Sequence, residues 1–364
     1  MENHNKLDNQ YKHRLGKIEA VLNTFLPESF EPSWVEQIFE LPSQTVSPVL
    51  AISLTRPGRD LLDRGGKRWR PLLMYLIAEA LAGEEGAAAA LPLTPLVEIA
   101  HNASLIHDDI EDSSDERRGK PAIHLIYGND AAINSGAFLY FLPLACLSGS
   151  GFKAETKNRI AETWGLYMRR LHLGQAMDIS WHNDHKSLPQ IHEYEIMCGL
   201  KTGCLARMAA VLAVHCVEDC LAACGKKLPG DLAEKMGDAA EKLGVGFQIL
   251  DDVKNLKTGV PGKKRGDDIV EGKKSLPVLL YLHKYPQKKE FAGSCFTAAR
   301  SKGISAPELL EFINALETAG VIEEAQKKGA ELINESRALL SGSGVYMEAE
   351  AGALLDGLID FISS

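Results

Sequence analysis

The sequence has no excess of positive charge: its 364 residues carry 40 Lys and Arg against 49 Asp and Glu, a net charge of −9. That balance argues against a broad nucleic-acid-binding surface, which needs a basic face. Charged residues make up 24% and hydrophobic residues 45%, which are ordinary values for a globular protein. A chain of this length and composition can bury a large core, so disorder and collagen-like or rod-like structure are excluded for the whole.

Long apolar runs are also missing. The longest, from Ala137 to Leu147, is too short to span a bilayer. The N-terminal segment is polar and has no apolar core of the kind that secretory signals contain. The C-terminus carries no prenylation or retention signal. We therefore expect a cytoplasmic protein with no membrane span.

Cysteine spacing typical of zinc sites or disulfide frameworks is absent as well. Of the seven cysteines, Cys216, Cys220 and Cys224 lie four residues apart on one face of a predicted helix. Tetrahedral zinc sites need four ligands with spacings such as CxxC, and helix geometry keeps these three from pairing easily. They are predicted to be reduced residues of the core.

Alternating strand patterns are scarce, and no βαβ rhythm occurs. Apolar residues recur at helical spacing over 72–82, 95–107, 157–177, 205–224 and 233–252. Glycine and proline pairs separate these stretches. The sequence predicts an all-α fold of about ten helices, with a polar N-terminal lead-in at 1–30 and one helical domain over 31–364.

The strongest chemical signal is an Asp-Asp-x-x-Asp cluster that ends an apolar helical stretch. Asp108 and Asp112 are four residues apart, so they project from one helix face. A solvated acidic helix end would explain an isolated cluster. Here Arg117 and Arg118 follow closely, and guanidinium groups bind phosphate with two parallel hydrogen bonds. Carboxylates beside phosphate-binding arginines suit Mg²⁺, which takes one or two carboxylates plus substrate phosphates.

A second acidic pair, Asp251 and Asp252, ends another apolar helical stretch far downstream. Two such helices facing each other would make a cavity with carboxylates on both walls, able to hold several Mg²⁺ ions around a diphosphate. Lysine and arginine also cluster beside glycine, at 65–71, 201–203, 262–264 and 272–274. One such cluster is weak evidence for a phosphate site. Four of them together with two acidic motifs are hard to explain as charged surface residues without a common function.

Over residues 57–340 the chain resembles the trans-isoprenyl diphosphate synthases, or polyprenyl synthetases. The resemblance depends on the order and spacing of GGKRWRP at 65–71, DDIED at 108–112, RRGKP at 117–121, GQAMD at 174–178, KTG at 201–203, FQILDD at 247–252 and GDDIVEGKKSLP at 266–277. It implies an all-α bundle around a deep central cavity, and a homodimer. It also implies a trans-prenyltransferase that condenses isopentenyl diphosphate head-to-tail with an allylic diphosphate.

The resemblance further implies a role for each matching residue. The positions that hold the diphosphate of isopentenyl diphosphate are Lys67, Arg70, His101 and Arg118. The Mg²⁺ ligands, for three ions in all, are Asp108, Asp112 and Asp251. The positions that grip the allylic diphosphate are Arg117, Lys201 and Lys263. Supporting polar positions are Thr202, Gln248, Gln175 and Asp178. His107 matches no such position and is predicted to be structural.

Product length depends in this family on the helix wall that precedes the first aspartate motif. Ala103 and Ser104, and Ala100 one turn deeper, are small here, whereas aromatic side chains block the tunnel in short-chain members. We therefore expect geranylgeranyl diphosphate or a longer product. A floor could still come from Trp164, Tyr167, Met168 and Leu171, for which ordinary core packing is an equally good explanation.

The chain departs from the family pattern at Asn255, where the second motif usually has its third Asp. The lost charge predicts weaker metal binding there, and it leaves open a non-catalytic subunit of a heteromeric synthase. A farnesyl diphosphate synthase and a terpene cyclase are two further possibilities. Cyclases bind no isopentenyl diphosphate and usually lack the sites around Lys67, Arg118 and Lys201, all of which are present here.

Overall fold

The computed structural model describes residues 2–29, 31–42, 45–183, 188–259, 264–342 and 348–363. In these ranges the chain forms seventeen α-helices and one short antiparallel ribbon, in which Glu116 pairs with Pro121 and Arg117 with Lys120. The all-α prediction is confirmed, but the described residues form more helices than the approximately ten that the sequence indicated. A single ribbon of four residues supplies the only strands in the described part of the chain.

The first half of the chain contains ten of these elements. They are α1 (Glu2–Phe25), α2 (Pro32–Phe39), α3 (Pro48–Asp63), α4 (Trp69–Ala90), α5 (Thr94–Glu111), β1 (Glu116–Arg117), β2 (Lys120–Pro121), α6 (Ile123–Tyr127), α7 (Asn129–Phe141) and α8 (Ala154–Asn183).

The second half contains nine helices. They are α9 (Ile191–Cys198), α10 (Cys204–Ala223), α11 (Leu232–Lys257), α12 (Asp267–Glu271), α13 (Leu276–Lys284), α14 (Lys289–Lys302), α15 (Pro307–Thr318), α16 (Val321–Ser341) and α17 (Ala349–Ser363). A single turn of π-helix, Gly199–Gly203, joins α9 to α10. Such turns are rare and occur frequently at functional sites.

The described residues group into two compact units. Unit 1 lies within Met1–Trp164, Met208–Ala233 and Gly344–Leu358, and unit 2 within Gly165–Arg207, Glu234–Ser343 and Ile359–Ser364. The sequence indicated one domain over 31–364, and that boundary stays a prediction.

Unit 1 is built around α5, which packs against α1, α3, α4 and α7. On α5, Leu96 and Val97 have no exposed surface, which is why this helix lies at the centre of the unit. Helix α1 falls in the segment that reads as a polar lead-in, yet its Ile18 and Leu22 are also fully buried. Burial of each such side chain contributes about 1.5–3 kcal/mol, so α1 is part of the core.

Unit 2 has a core in which aromatic side chains are prominent. Phe312 makes edge-to-face contacts with Tyr281, Phe291 and Phe296, at ring-centroid distances of 5.9, 6.0 and 5.7 Å. Edge-to-face pairs at this spacing add to the free energy gained by burying their area. These rings connect α13, α14 and α15. Ile249 and Val253, near the end of α11, belong to the same core.

Two helical stretches, Asn129–Leu147 and Ile191–Ala223, are apolar and long enough to cross a bilayer by length and composition. In the second, 83% of the most apolar window is buried inside the protein, as in the core helices of many proteins. The expectation that no segment spans a membrane therefore stays a prediction. All seven cysteines are free thiols, and Cys216 is buried as predicted, but Cys224 is exposed, so its predicted place in the core was wrong.

Candidate active site

The first aspartate pair lies at the last turn of α5. Neighbouring residues on a helix point about 100° apart, and the two carboxylates differ accordingly: Asp108 is half-buried and Asp109 is fully buried. Arg117 Nε donates to Asp109 Oδ1 at 2.8 Å, and Arg117 Nη2 lies 3.4 Å from Asp108 Oδ2. One guanidinium therefore balances both charges. Burial raises the pKa of Asp109, and Arg117 opposes that shift.

The β1–β2 ribbon holds Arg117 and Arg118 beside α5. Its two-residue turn, Arg118 and Gly119, has positive φ at both positions, 54° and 74°, as the turns that match strand twist require. Arg64, at the end of α3, donates from Nη1 to the backbone oxygens of Arg117 at 3.0 Å and Pro121 at 2.9 Å. The ribbon is thus fixed to α3, and its two arginines have a defined direction.

Arg118 belongs to a group of cations that also contains Arg68, Arg70 and Arg117. Its Nη1 donates to the Leu61 carbonyl oxygen at 2.9 Å and to Asn102 Oδ1 at 3.3 Å. Burial, together with the neighbouring arginines, lowers the pKa of Arg118 to about 10. Burial and Arg70 hold the pKa of His101 well below its usual range. The His101 ring is therefore neutral at pH 7, and its Nε2 accepts from Arg70 Nη1 at 3.5 Å.

A buried carboxylate beneath this group was not indicated by the sequence. Glu98 is 2% exposed, and its Oε1 accepts from Arg68 Nη1 at 2.7 Å and from Asn102 Nδ2 at 3.0 Å. Arg68 also pairs with Glu19 on α1 at 2.7 Å. Glu98 lies ten residues before Asp108, on the same helix, and only its place in an apolar stretch could have singled it out. It provides the negative charge that lets several arginines assemble here.

In unit 2 the π-helical turn carries two of the predicted residues. Lys201 Nζ donates to Asp178 Oδ2 at 2.6 Å, and Thr202 Oγ1 donates to Gln248 Oε1 at 2.8 Å. The turn is therefore connected to α8 through Asp178 and to α11 through Gln248. The structure brings together these four predicted positions.

The second aspartate pair lies in the last two turns of α11 and repeats the pattern of the first. Asp251 is half-buried, whereas Asp252 is 6% exposed. Asp252 accepts from the Tyr194 hydroxyl at 2.7 Å and from Gln248 Nε2 at 2.8 Å. Burial and the nearby Asp268 carboxylate raise the pKa of Asp252 to about 7. Sequence reasoning had assigned no role to Asp252 or Tyr194.

Asn255 occupies the third position of this motif and is 1% exposed. Its Oδ1 accepts from the backbone N–H of Asp268 at 3.3 Å, and its carbonyl oxygen accepts from the N–H of Gly266 at 3.0 Å. Its side chain therefore connects the end of α11 to the start of α12. These contacts give Asn255 a structural task that the sequence did not indicate.

The remaining basic clusters divide into described and undescribed residues. Lys263 lies outside the residues that the structure describes, so its predicted role is not tested. Lys274 is buried, with Nζ 4.2 Å from the Phe296 ring centroid and 2.7 Å from the Gly272 carbonyl oxygen. Lys273 Nζ lies 2.7 Å from Glu271 Oε2. These two lysines are engaged with the protein locally. Lys67 is exposed at the turn before α4.

The predicted chain-length residues on α5 differ in accessibility. Ala100 and Ala103 have no exposed surface, whereas Ser104 is half-buried, with its hydroxyl donating to the His101 carbonyl oxygen at 2.8 Å. Of the three, only Ser104 borders accessible space. His107 packs against Tyr140 with ring centroids 5.6 Å apart, as expected for a structural histidine.

The alternative floor residues on α8 are all buried. Tyr167 accepts at its hydroxyl from Arg207 Nε at 3.0 Å, so its side chain is held within unit 2. These contacts favour core packing for that stripe.

The family model for polyprenyl synthetases matches residues 52–312. This chain belongs to the polyprenyl synthetase family. It is 30% identical to the geranylfarnesyl diphosphate synthase of Aeropyrum pernix over 83% of this chain and 91% of that one. It is also 30% identical to the geranylfarnesyl diphosphate synthase of Natronomonas pharaonis, over 89% and 94% of the two chains.

The solved geranylgeranyl pyrophosphate synthetase of Pyrococcus horikoshii has the same fold. It superposes with a TM-score of 0.81 at 25% identity and covers 100% of this chain and 99% of that one. The family assignment and the all-α fold that the motifs implied are therefore confirmed, and this polyprenyl synthetase is a trans-prenyltransferase.

Proposed function

We propose that this polyprenyl synthetase carries out the Mg²⁺-dependent condensation of isopentenyl diphosphate with an allylic diphosphate to give geranylgeranyl diphosphate or a longer product. One observation carries the proposal: Arg117 contacts both Asp108 and Asp109 and lies directly beside the cation group around Arg118. Carboxylates for metal and guanidinium groups for phosphate thus occur side by side.

The cation group suits the diphosphate of isopentenyl diphosphate. Arg70 and Arg118 offer planar donor forks, which match phosphate oxygens with two hydrogen bonds each. His101 is neutral next to them, so it adds a hydrogen-bonding nitrogen without a further positive charge. Because Glu98 balances the charge of Arg68, the positive charges of Arg70 and Arg118 can act on the substrate.

The available carboxylates fit Mg²⁺ held jointly with a substrate. Among the described residues, no group of three or more His, Cys, Asp or Glu side chains converges as a complete cage. Mg²⁺ commonly keeps several waters and binds through one or two carboxylates plus substrate phosphates. Asp108, Asp112 and Asp251 would hold the ions, three in all. When bound, Mg²⁺ supplies positive charge that offsets the diphosphate.

The residues of the chain then assist ionisation. Arg117, Lys201 and Lys263 stabilise the negative charge that grows on the departing allylic diphosphate. The alkene of isopentenyl diphosphate attacks the allylic cation, and the resulting cation loses a proton to the released diphosphate. Binding both substrates in one orientation lowers the entropic cost of their encounter, and exclusion of water keeps the cation from becoming an alcohol.

Product length beyond farnesyl is supported by the small side chain of Ser104, which borders accessible space. The relatives from Aeropyrum pernix and Natronomonas pharaonis are geranylfarnesyl diphosphate synthases, and the structural neighbour is a geranylgeranyl pyrophosphate synthetase. Both observations point to the same range of product length.

A homodimer is supported by an apolar surface on α6 and α7. Leu125, Ile126, Ile133 and Phe141 are 54%, 45%, 49% and 70% exposed. Helices α6 and α7 are in contact, so these side chains expose apolar surface on neighbouring elements, which could meet its copy across a two-fold axis.

The purified chain, incubated alone with isopentenyl diphosphate, Mg²⁺ and each allylic diphosphate in turn, tests the proposal. We expect consumption of isopentenyl diphosphate and a product of geranylgeranyl length or longer by chromatography. No consumption by the chain alone would instead favour the non-catalytic partner subunit. A product that stops at farnesyl length would refute the chain-length part.

A further inference from the structure

In unit 2 the π-helical turn Gly199–Gly203 packs against two helices with no side chain between the backbones. An ideal Cβ on Gly174 of α8 would lie 2.5 Å from the backbone nitrogen of Lys201 and 2.7 Å from the carbonyl carbon of Leu200. On the α11 side, a Cβ on Gly244 would lie 2.6 Å from the Cα of Gly203. Ordinary Cβ contacts lie at 3.4–4 Å, so each helix touches the turn as closely as backbones allow.

The same two helices supply the hydrogen-bond partners of the turn, one helical turn further along. On α8, Asp178 follows Gly174 by four residues and accepts from Lys201 at 2.6 Å. On α11, Gln248 follows Gly244 by four residues and accepts from Thr202 at 2.8 Å. Residues four apart share a helix face. Each helix therefore presents a glycine and then a polar partner to the π-helical turn.

This repeated arrangement fixes both the distance and the direction of Lys201. The glycines set how near the turn lies to each helix, and the polar partners set where its side chains point. We propose that Gly174 and Gly244 are positioning residues for Lys201, and through it for the allylic diphosphate. The inference rests on the proposed function, in which Lys201 stabilises the charge of the leaving group.

An added methyl group at either glycine cannot be absorbed by a flexible side chain, because the atoms it meets are backbone atoms and, at Gly174, also the Cβ of Leu200, which moves only with its backbone. Restoring an ordinary contact at Gly174 requires a shift of about 1 Å, from 2.5 to 3.4 Å or more. Interiors are packed closely enough to transmit such a shift. A misplacement of about 1 Å at a reacting group can cost on the order of 100-fold in rate.

Gly174→Ala and Gly244→Ala should each lower kcat about 100-fold and raise the KM for the allylic diphosphate. The KM for isopentenyl diphosphate should stay within about twofold. Gly165→Ala is the matched control on α8, because the nearest atom to its added Cβ is the flexible Arg169 Nη1 at 3.6 Å. Its kinetic constants should stay within about twofold of the unmodified enzyme, since alanine suits a helix interior better than glycine.

Combination with Lys201→Ala separates positioning from a general structural defect. If Gly174 acts through Lys201, then Gly174→Ala should cause little further loss in the Lys201→Ala background. The same fold-loss in both backgrounds would overturn the proposal. So would failure of both glycine variants to fold while Gly165→Ala folds, because the glycines would then serve the fold as a whole. An inactive unmodified enzyme would refute the proposed function instead, which keeps the two failures distinct.

Discussion

Helices α5 and α11 of this enzyme each carry an Asp-Asp pair near the C-terminal end, and the two pairs are alike in burial but differ in what surrounds the buried member. In each pair the first aspartate, Asp108 or Asp251, is half-buried, and the second, Asp109 or Asp252, is buried. The buried member of the first pair is balanced by the cation of Arg117. The buried member of the second accepts hydrogen bonds from two neutral donors, but burial and the Asp268 carboxylate outweigh them and raise its pKa to about 7.

The two aspartates of each acidic pair therefore have separate tasks. The half-buried aspartates keep accessible surface, which the proposed metal and substrate binding requires. The buried ones hold the surrounding structure, and each does so with the partners that its own unit supplies. The third positions differ most: Asp112 closes α5, whereas Asn255 connects α11 to α12.

The largest effect is expected from the half-buried aspartates. Asp108→Ala or Asp112→Ala should lower turnover by a factor on the order of 100 to 1,000 or more. Each variant loses a proposed ligand of the Mg²⁺ whose positive charge would offset the leaving diphosphate. Steady-state rates at saturating Mg²⁺ measure this. Asp115→Asn removes an exposed carboxylate from the loop that follows α5 and should leave the rate unchanged. Near-normal turnover in either alanine variant would contradict the assignment.

The buried aspartates should differ in stability. Asp109→Asn removes the nearer and fully buried one of the two carboxylates that pair with Arg117, and should lower the free energy of unfolding by roughly 3 kcal/mol. Asp252→Asn loses one of two hydrogen bonds but also relieves the buried charge, so it should cost no more than about 1 kcal/mol. Urea denaturation of both variants gives the two values. Equal losses would show that the cation does not distinguish the two pairs.

Product length offers a test within α5 itself. Ser104→Phe should shorten the product toward farnesyl diphosphate, since its ring enters accessible space beside the motif. Ala103→Phe has no such space and should instead lower stability by about 1–3 kcal/mol through overpacking. Product chromatography and thermal unfolding separate these outcomes. If only Ala103→Phe shortens the product, the accessible wall has been assigned to the wrong residue.

The smallest effect is expected at the third position of the second motif. Asn255→Asp makes the two motifs alike in sequence, but the side chain faces the backbone of α12. The Mg²⁺ concentration for half-maximal rate should therefore stay within about twofold, with a loss of roughly 1–3 kcal/mol in stability from the buried charge. A clearly lower Mg²⁺ requirement would show that this position reaches the metal, as the family pattern alone suggests.

The sequence by itself determined the fold class, the family and the positions of the chemical motifs. Helical periodicity and the spacing of acidic and basic clusters are local properties, so they can be read along the chain. The same reasoning indicated that His107 is structural, since it matched no motif position. Its packing against Tyr140 agrees.

Only the tertiary structure decided which member of each aspartate pair is buried, and what balances it. It also showed that Glu98 supports the arginines, that Asn255 binds α12, and that Ala103 has no accessible surface. None of this follows from spacing, because burial and charge compensation depend on segments far apart in the chain. The importance of Gly174 and Gly244 likewise depends on the tertiary structure, because it arises only where the backbone of the turn Gly199–Gly203 comes within contact distance of each glycine.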